Sequence, residues 1–133
     1  SVLVPAGLDN AVGVISTQYL KDPTDPQWVN DKAYLDWLVF MRGFYKSGDL
    51  KDASNVFGYN VAQGVVQVLK QAGNDLTRAN IMKQAASLDF ELPMLLPGIN
   101  VKTGPDDFFP IEREQLIRFN GKSWDRFGKV YGR

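Results

Sequence analysis

Four prolines in the last third of the chain set the strictest limit on what it can fold into. Proline has no backbone N–H to donate, and its ring clashes with the preceding helical turn. Pro93, Pro97, Pro105 and Pro110 therefore confine long helices to the residues before them. Between these prolines, Ile99 to Thr103 is predicted to form at most a short strand.

The first predicted helix begins at Pro26. Asp25 suits the N-cap, and Pro26 suits the first helical position, where a missing N–H costs nothing. Gly48 lies just beyond the expected end. Apolar residues recur at helical spacing and predict a buried stripe, which comprises Tyr34, Trp37, Leu38, Met41, Phe44 and Tyr45.

Two further helices are predicted before Pro93. In the second, Ser54 or Asn55 can act as N-cap, and Gly73 offers a left-handed exit. Thr77 is expected to cap the third helix, which should run to about Ser87. The second helix carries apolar residues at i, i+3, i+4 and i+7, which we expect to pack against the first helix or to share one sheet face with it; these are Ala62, Val65, Val66 and Leu69.

Strands are predicted at both ends of this helical region. Gly13 to Tyr19 is rich in β-branched residues and is bounded by turn residues. Near the C-terminus, Gln115 to Phe119 and Lys122 to Phe127 flank Asn120-Gly121, which favours a hairpin with a two-residue turn and positive φ at both positions. Because the first strand has no strand neighbour nearby in sequence, its hydrogen-bonding partners are expected to lie outside the chain.

Composition excludes several kinds of function. Fifteen basic residues balance fifteen acidic ones, so no excess charge attracts nucleic acid. The sequence contains no cysteine and no histidine, which removes thiolate nucleophiles, imidazole bases and the usual zinc ligands. The Asp106-Asp107 pair is better explained as a turn than as a cation site. We therefore expect no enzyme activity, no metal and no cofactor.

Aromatic residues at element ends are the best candidates for a ligand site. Tyr19 ends the first predicted strand, and Phe57 and Tyr59 lie near the start of the second helix. Ligands of α/β proteins gather at strand ends and helix starts, and their pockets favour aromatic walls. The alternative for each ring is packing in the core.

Six segments of the chain form a recognisable series. They are Gly13-Val14-Ile15-Ser16, Tyr19-Leu20-Lys21-Asp22-Pro23-Thr24-Asp25-Pro26, Gly58-Tyr59-Asn60-Val61-Ala62-Gln63, Gly73-Asn74-Asp75-Leu76-Thr77-Arg78-Ala79-Asn80, Leu95-Leu96-Pro97-Gly98-Ile99 and Arg118-Phe119-Asn120-Gly121. In this order they resemble the C-terminal part of the periplasmic solute-binding proteins of the branched-chain amino acid type, which serve ABC importers.

The resemblance implies an α/β chain of the type I binding-protein fold, in which two doubly wound lobes are joined by three crossing segments. Residues 1–12 would end the second lobe, residues 13–104 would cross to the first lobe and supply its last helices, and residues 105–133 would return and form the hairpin. The sheet of each lobe would be incomplete in this chain. The exposed apolar surface would then favour self-association of the chain.

The function implied is capture of a small organic solute, such as an amino acid, an amide or an aromatic acid, in the periplasm. The two lobes would close on the solute, and the full-length protein would deliver it to an ABC permease in the membrane. A ligand-sensing regulatory module of the same fold is the alternative, since a fold does not determine a function.

Overall fold

The computed structural model describes residues 3–132, which form a mixed α/β structure with three α-helices and a small antiparallel sheet. The helices are α1 (Lys32–Phe44), α2 (Ala53–Ala72) and α3 (Arg78–Ala85). The strands are β1 (Ile15–Gln18), β2 (Asp89–Phe90), β3 (Val101–Lys102), β4 (Arg113–Phe119) and β5 (Trp124–Gly132). Short 3₁₀ turns cover Val4–Ala6, Leu8–Ala11 and Pro26–Trp28.

The larger sheet has three strands in the order β1-β4-β5. Ile15 lies opposite Arg118, and Gln18 lies opposite Gln115, so β1 runs antiparallel to β4. The expectation that the partners of β1 lie outside the chain is therefore wrong for one of its edges. The pairing was hidden because it joins segments separated by about a hundred residues of helices and loops.

The β4–β5 hairpin is confirmed, but its turn is longer than predicted. Phe119 lies opposite Trp124, so four residues form the connection rather than two. Gly121 has φ 98°, whereas Asn120 does not have a positive φ. The Asn120 side chain explains the difference, because its Oδ1 accepts hydrogen bonds of 2.9 Å from the backbone N–H groups of both Lys122 and Ser123. This Asx turn replaces the two-residue geometry.

Aspartates cap the first two helices, and α1 begins later in the sequence than predicted. Asp25 accepts a hydrogen bond from the Gln27 N–H, but it caps only the 3₁₀ turn Pro26–Trp28. Asp31 then caps α1 by accepting from the Tyr34 N–H at 2.9 Å. Asp52 caps α2, so the prediction of Ser54 or Asn55 there is wrong by two or three positions.

The boundary between α2 and α3 follows the sequence closely. Gly73 ends α2 with φ 60° and donates its N–H to the Leu69 carbonyl at 3.2 Å. The Thr77 side chain accepts from the Asn80 N–H and caps α3, as predicted. That helix ends at Ala85, two residues before the predicted end.

The core lies between the helices and the loops that follow α3. Trp37 is completely buried and Met41 is 2% exposed, which confirms the centre of the α1 stripe. At the end of that stripe, Phe44 is 83% and Tyr45 50% exposed, so these two residues were wrongly included. The residues that complete the core include Leu20, Trp28, Val56, Val68, Leu88, Leu92, Met94, Leu95, Leu96, Ile99 and Val101.

The face of α2 predicted to be buried is the exposed one. Ala62, Val65, Val66 and Leu69 all lie on the surface. The helix instead buries Val56, Asn60, Val68 and Ala72. Both faces are apolar, so periodicity alone did not distinguish them. The segment from Leu92 to Leu96, which contains Pro93, fills the core and thereby fixes which side of α2 turns inward.

Candidate functional site

An apolar groove of about 470 Å³ lies between α2, α3 and the loops beside them. We call it the α2–α3 groove. Its volume falls within the usual range for small-molecule sites, which is roughly 300–1,000 Å³. The residues that line it include Tyr19, Phe57, Val61, Gly64, Val65, Leu69, Ile81, Ala85, Leu88 and Ile111.

No charged residue lines the groove among the described residues, and Asn60 is the only amide side chain in its wall. Asn60 is 3% exposed. Its Oδ1 accepts from the Met94 N–H at 3.2 Å, which ties α2 to the loop after β2. Its buried Nδ2 has no hydrogen-bond partner among the described residues. The groove is therefore better suited to an uncharged, apolar ligand than to an ion.

Two of the three predicted ligand residues lie in this groove. Tyr19 forms part of its wall, and its carbonyl accepts from the Leu96 N–H at 2.8 Å. Phe57 lies on the α2 side and remains 50% exposed. The structure therefore brings together a residue at the end of β1 and one near the start of α2.

Tyr59 lies elsewhere, on the side of α2 that meets α1. Its ring packs on Phe40 with the centroids 5.1 Å apart. Partial burial, helped by the nearby Asp36 carboxylate, raises the pKa of the Tyr59 hydroxyl above its usual value of 10.0, so the ring stays neutral at physiological pH. The structure does not place Tyr59 with Tyr19 and Phe57.

A second cluster surrounds Trp28 in the turn before α1. Lys21 is 6% exposed, and its Nζ lies 2.7 Å from the Asp31 Oδ1 and 5.1 Å from the centre of the Trp28 ring. From β5, the Arg126 guanidinium lies 5.0 Å from the same ring and donates to the Gln27 side chain. These contacts attach the sheet to the start of α1.

The electrostatics of Asp31 follow from this cluster. Burial by itself would raise the pKa of the Asp31 carboxyl, but the hydrogen bond from Lys21 and those from the Tyr34 and Ala33 N–H groups lower it below its usual 3.8. Asp31 is therefore ionised at neutral pH. The pair is structural, since it holds the segment after β1 against the N-terminus of α1.

The remaining carboxylates do not form a metal centre among residues 3–132, where no group of three or more Asp and Glu side chains is suitably placed. Asp107 accepts a hydrogen bond from the Phe109 N–H at 3.1 Å, which confirms its role in a turn. Within the same range, no helix is long and apolar enough to cross a membrane.

Comparison with known proteins gives no further information about this site. No protein-family model, no curated protein and no solved structure matches the chain.

Sequence reasoning missed the groove residues of α3 and the Trp28 cluster. Ile81 and Ala85 carry only the ordinary signal of an amphipathic helix. Arg126 and Trp28 lie about a hundred residues apart, so no local pattern relates them. The one available signal was Lys21, a charged residue directly after the apolar Tyr19-Leu20 pair that follows β1.

Proposed function

We propose that this chain is part of a bilobed receptor of the type I periplasmic binding-protein fold. The receptor captures a small organic solute in the periplasm and delivers it to an ABC import permease, without a catalytic step of its own. The proposal rests on the resemblance described above and on the way in which the chain enters and leaves its helical region.

The antiparallel pairing of β1 with β4 carries the proposal. The chain enters the helical region through β1 and Tyr19, and it returns through Ile111 into β4. The entry and exit segments therefore run side by side, as expected of two segments that cross between lobes. The hairpin strand β5 extends the same sheet on the far side of β4.

The α2–α3 groove supports capture of a solute that is mostly apolar. Tyr19 lies at the end of β1, the entry strand. Movement of the sheet relative to the helical region would therefore change the shape of the groove wall. Ligand contacts made to both parts would stabilise the closed arrangement. Amides fit this surface better than free ions, because the lining is uncharged.

Isothermal titration of the full-length protein with a branched-chain amino acid, an alkyl amide, urea and an aromatic acid tests this function. We expect one solute class to bind with accompanying compaction in small-angle scattering, and to be recovered chemically unchanged. The 133-residue chain should bind that solute at least about tenfold more weakly, because it supplies part of the cleft.

Three substitutions locate the solute. Tyr19→Ala and Phe57→Ala should each weaken binding by about one to a few kcal/mol, because both rings line the α2–α3 groove. Tyr59→Ala tests the third predicted ring, which packs on Phe40 outside the groove. Val39→Ala is the matched control, because Val39 is 71% exposed on α1. Unchanged affinity in all three variants would remove these rings from the site, and equal affinity in the short chain would contradict the two-lobe mechanism.

A further inference from the structure

Helix α2 is unusual in having no charged side chain along most of its length. Residues 53–69 contain no Asp, Glu, Lys or Arg, although the helix lies at the surface. A surface helix normally presents charged or polar side chains to solvent, whereas the exposed side of α2 carries mainly apolar ones. Residues 3–132 cover only the side of α2 that bears Val56, Asn60 and Val68.

The uncovered side is large enough for a specific interface. With roughly 200 Å² for a fully exposed aromatic residue and about 170 Å² for an aliphatic one, the exposed fractions correspond to roughly 700 Å². A standard stable interface buries about 600–1,000 Å² on each partner, and this surface lies within that range. The largest apolar patch of a typical monomer covers roughly 300–600 Å². The contributing residues are Phe40, Phe44, Phe57, Val61, Val65, Val66 and Leu69.

The middle of this surface has the spacing of a coiled-coil seam. Gly58, Ala62, Val65 and Leu69 follow each other at intervals of four, three and four residues, and all four are exposed. Such a seam faces a second helix. Outside α2 itself, no described residue lies within 4 Å of a Cβ placed on Gly58, so the space beside this residue is open to another chain.

The order of side-chain sizes along the seam indicates what that second helix is. In an antiparallel pair of identical α2 helices, Gly58 lies opposite Leu69 and Ala62 lies opposite Val65, so that a small residue always meets a larger one. A parallel pair would set Gly58 against Gly58 and leave a void, which costs stability. The zero net charge of the chain adds no overall repulsion between copies.

We propose that two copies of this 133-residue chain associate through antiparallel α2 helices about a two-fold axis between Ala62 and Val65. In this dimer, the seam of one copy packs against the seam of the other, and Phe40, Phe44 and Phe57 become buried beside it. Such an interface is isologous, so it closes after two copies and forms no filament.

Sedimentation equilibrium of the 133-residue chain, without any solute, tests the dimer. We expect twice the monomer mass at micromolar concentration. Val65→Lys should weaken association by on the order of 100-fold, because each copy would bury a charge in the apolar seam. Val39→Lys is the matched control, since Val39 is more exposed and lies on the far side of α1, and it should remain dimeric. A monomeric wild type, or equal effects of the two substitutions, would overturn the proposal.

Disulfide trapping tests the register, because the chain has no native cysteine. A mixture of Ala62→Cys and Val65→Cys chains should give a covalent heterodimer under mild oxidation. A mixture of Gly58→Cys and Val65→Cys chains, offset by one helical turn, should give at least about tenfold less. Equal yields, or no trapping in either mixture, would contradict the antiparallel register. Phe57, Val61, Val65 and Leu69 also line the α2–α3 groove, so the dimer and the solute would share this surface. Both tests measure association without any solute, so a failure of the dimer is distinguished from a failure of the full-length protein to bind solute.

Discussion

Trp37 is the largest fully buried side chain of the core, and its indole N–H has no hydrogen-bond partner among the described residues. Trp37→Ala should lower the free energy of unfolding by about 3–5 kcal/mol, through lost burial and a cavity. Trp37→Phe should cost less, under about 1.5 kcal/mol, because it also removes the unpaired donor. Urea denaturation measures both, and a cost below about 1 kcal/mol for Trp37→Ala would contradict the burial of the ring.

The Lys21–Asp31 pair predicts a specific dependence of stability on pH. The pKa of Asp31 is lower in the folded chain than its usual 3.8, so the pair stabilises the fold above that value. This contribution is lost as the pH falls through the lowered pKa. Asp31→Asn should cost about 1–3 kcal/mol at pH 7 and progressively less below about pH 4, because Asn keeps the N-cap but leaves the Lys21 charge unpaired.

Lys21→Met combined with Asp31→Asn provides the control. Removing both charges should restore much of the stability that Asp31→Asn loses, since no uncompensated buried charge remains. Chemical denaturation between pH 3 and pH 7 would show the effect. Additive losses in the double variant would mean that the two side chains are not coupled.

At the scale of elements, two glycines in different environments should respond in opposite directions to the same substitution. Gly121 has φ 98° in the hairpin turn, so Gly121→Ala should destabilise the fold by roughly 1–2 kcal/mol. Gly64 lies within α2, and outside that helix no described residue lies within 4 Å of an added Cβ, so Gly64→Ala should stabilise the fold by about 0.5–1 kcal/mol. Thermal unfolding measures both, and a loss at Gly64 would indicate crowding there.

The elements themselves were predictable from local chemistry. The cap at Thr77, the exit at Gly73 and the hairpin around Gly121 depend on residues close in sequence. Asp25 caps only a 3₁₀ turn, so the predicted start of α1 at Pro26 was six residues too early. The inward face of α2 was not predictable, because both of its faces are apolar and the choice depends on residues such as Met94 that approach from elsewhere. The pairing of β1 was missed for the same reason.

The candidate site was only partly predictable at the scale of the whole molecule. The positions of Tyr19 and Phe57 at element ends placed both in one groove. Tyr59 is two residues from Phe57, and two residues turn a helix by about 200°, so the same reasoning could not serve both rings. Its contact with Phe40 follows from the packing of α1, which no local pattern describes.

The order of strands in the sheet also decides how the molecule bears a mechanical load. Because β1 and β5 both run antiparallel to β4, Ile15 and the end of β5 lie at opposite ends of the sheet. Tension applied through the two chain ends therefore pulls along the strands, and the hydrogen bonds of each ladder are loaded together rather than opened one after another. In an optical trap, the sheet should rupture in one step when the chain is pulled from its two ends. The rupture force should be higher than when the same chain is pulled from Ile15 and Arg118, which face each other at one end of the β1–β4 ladder.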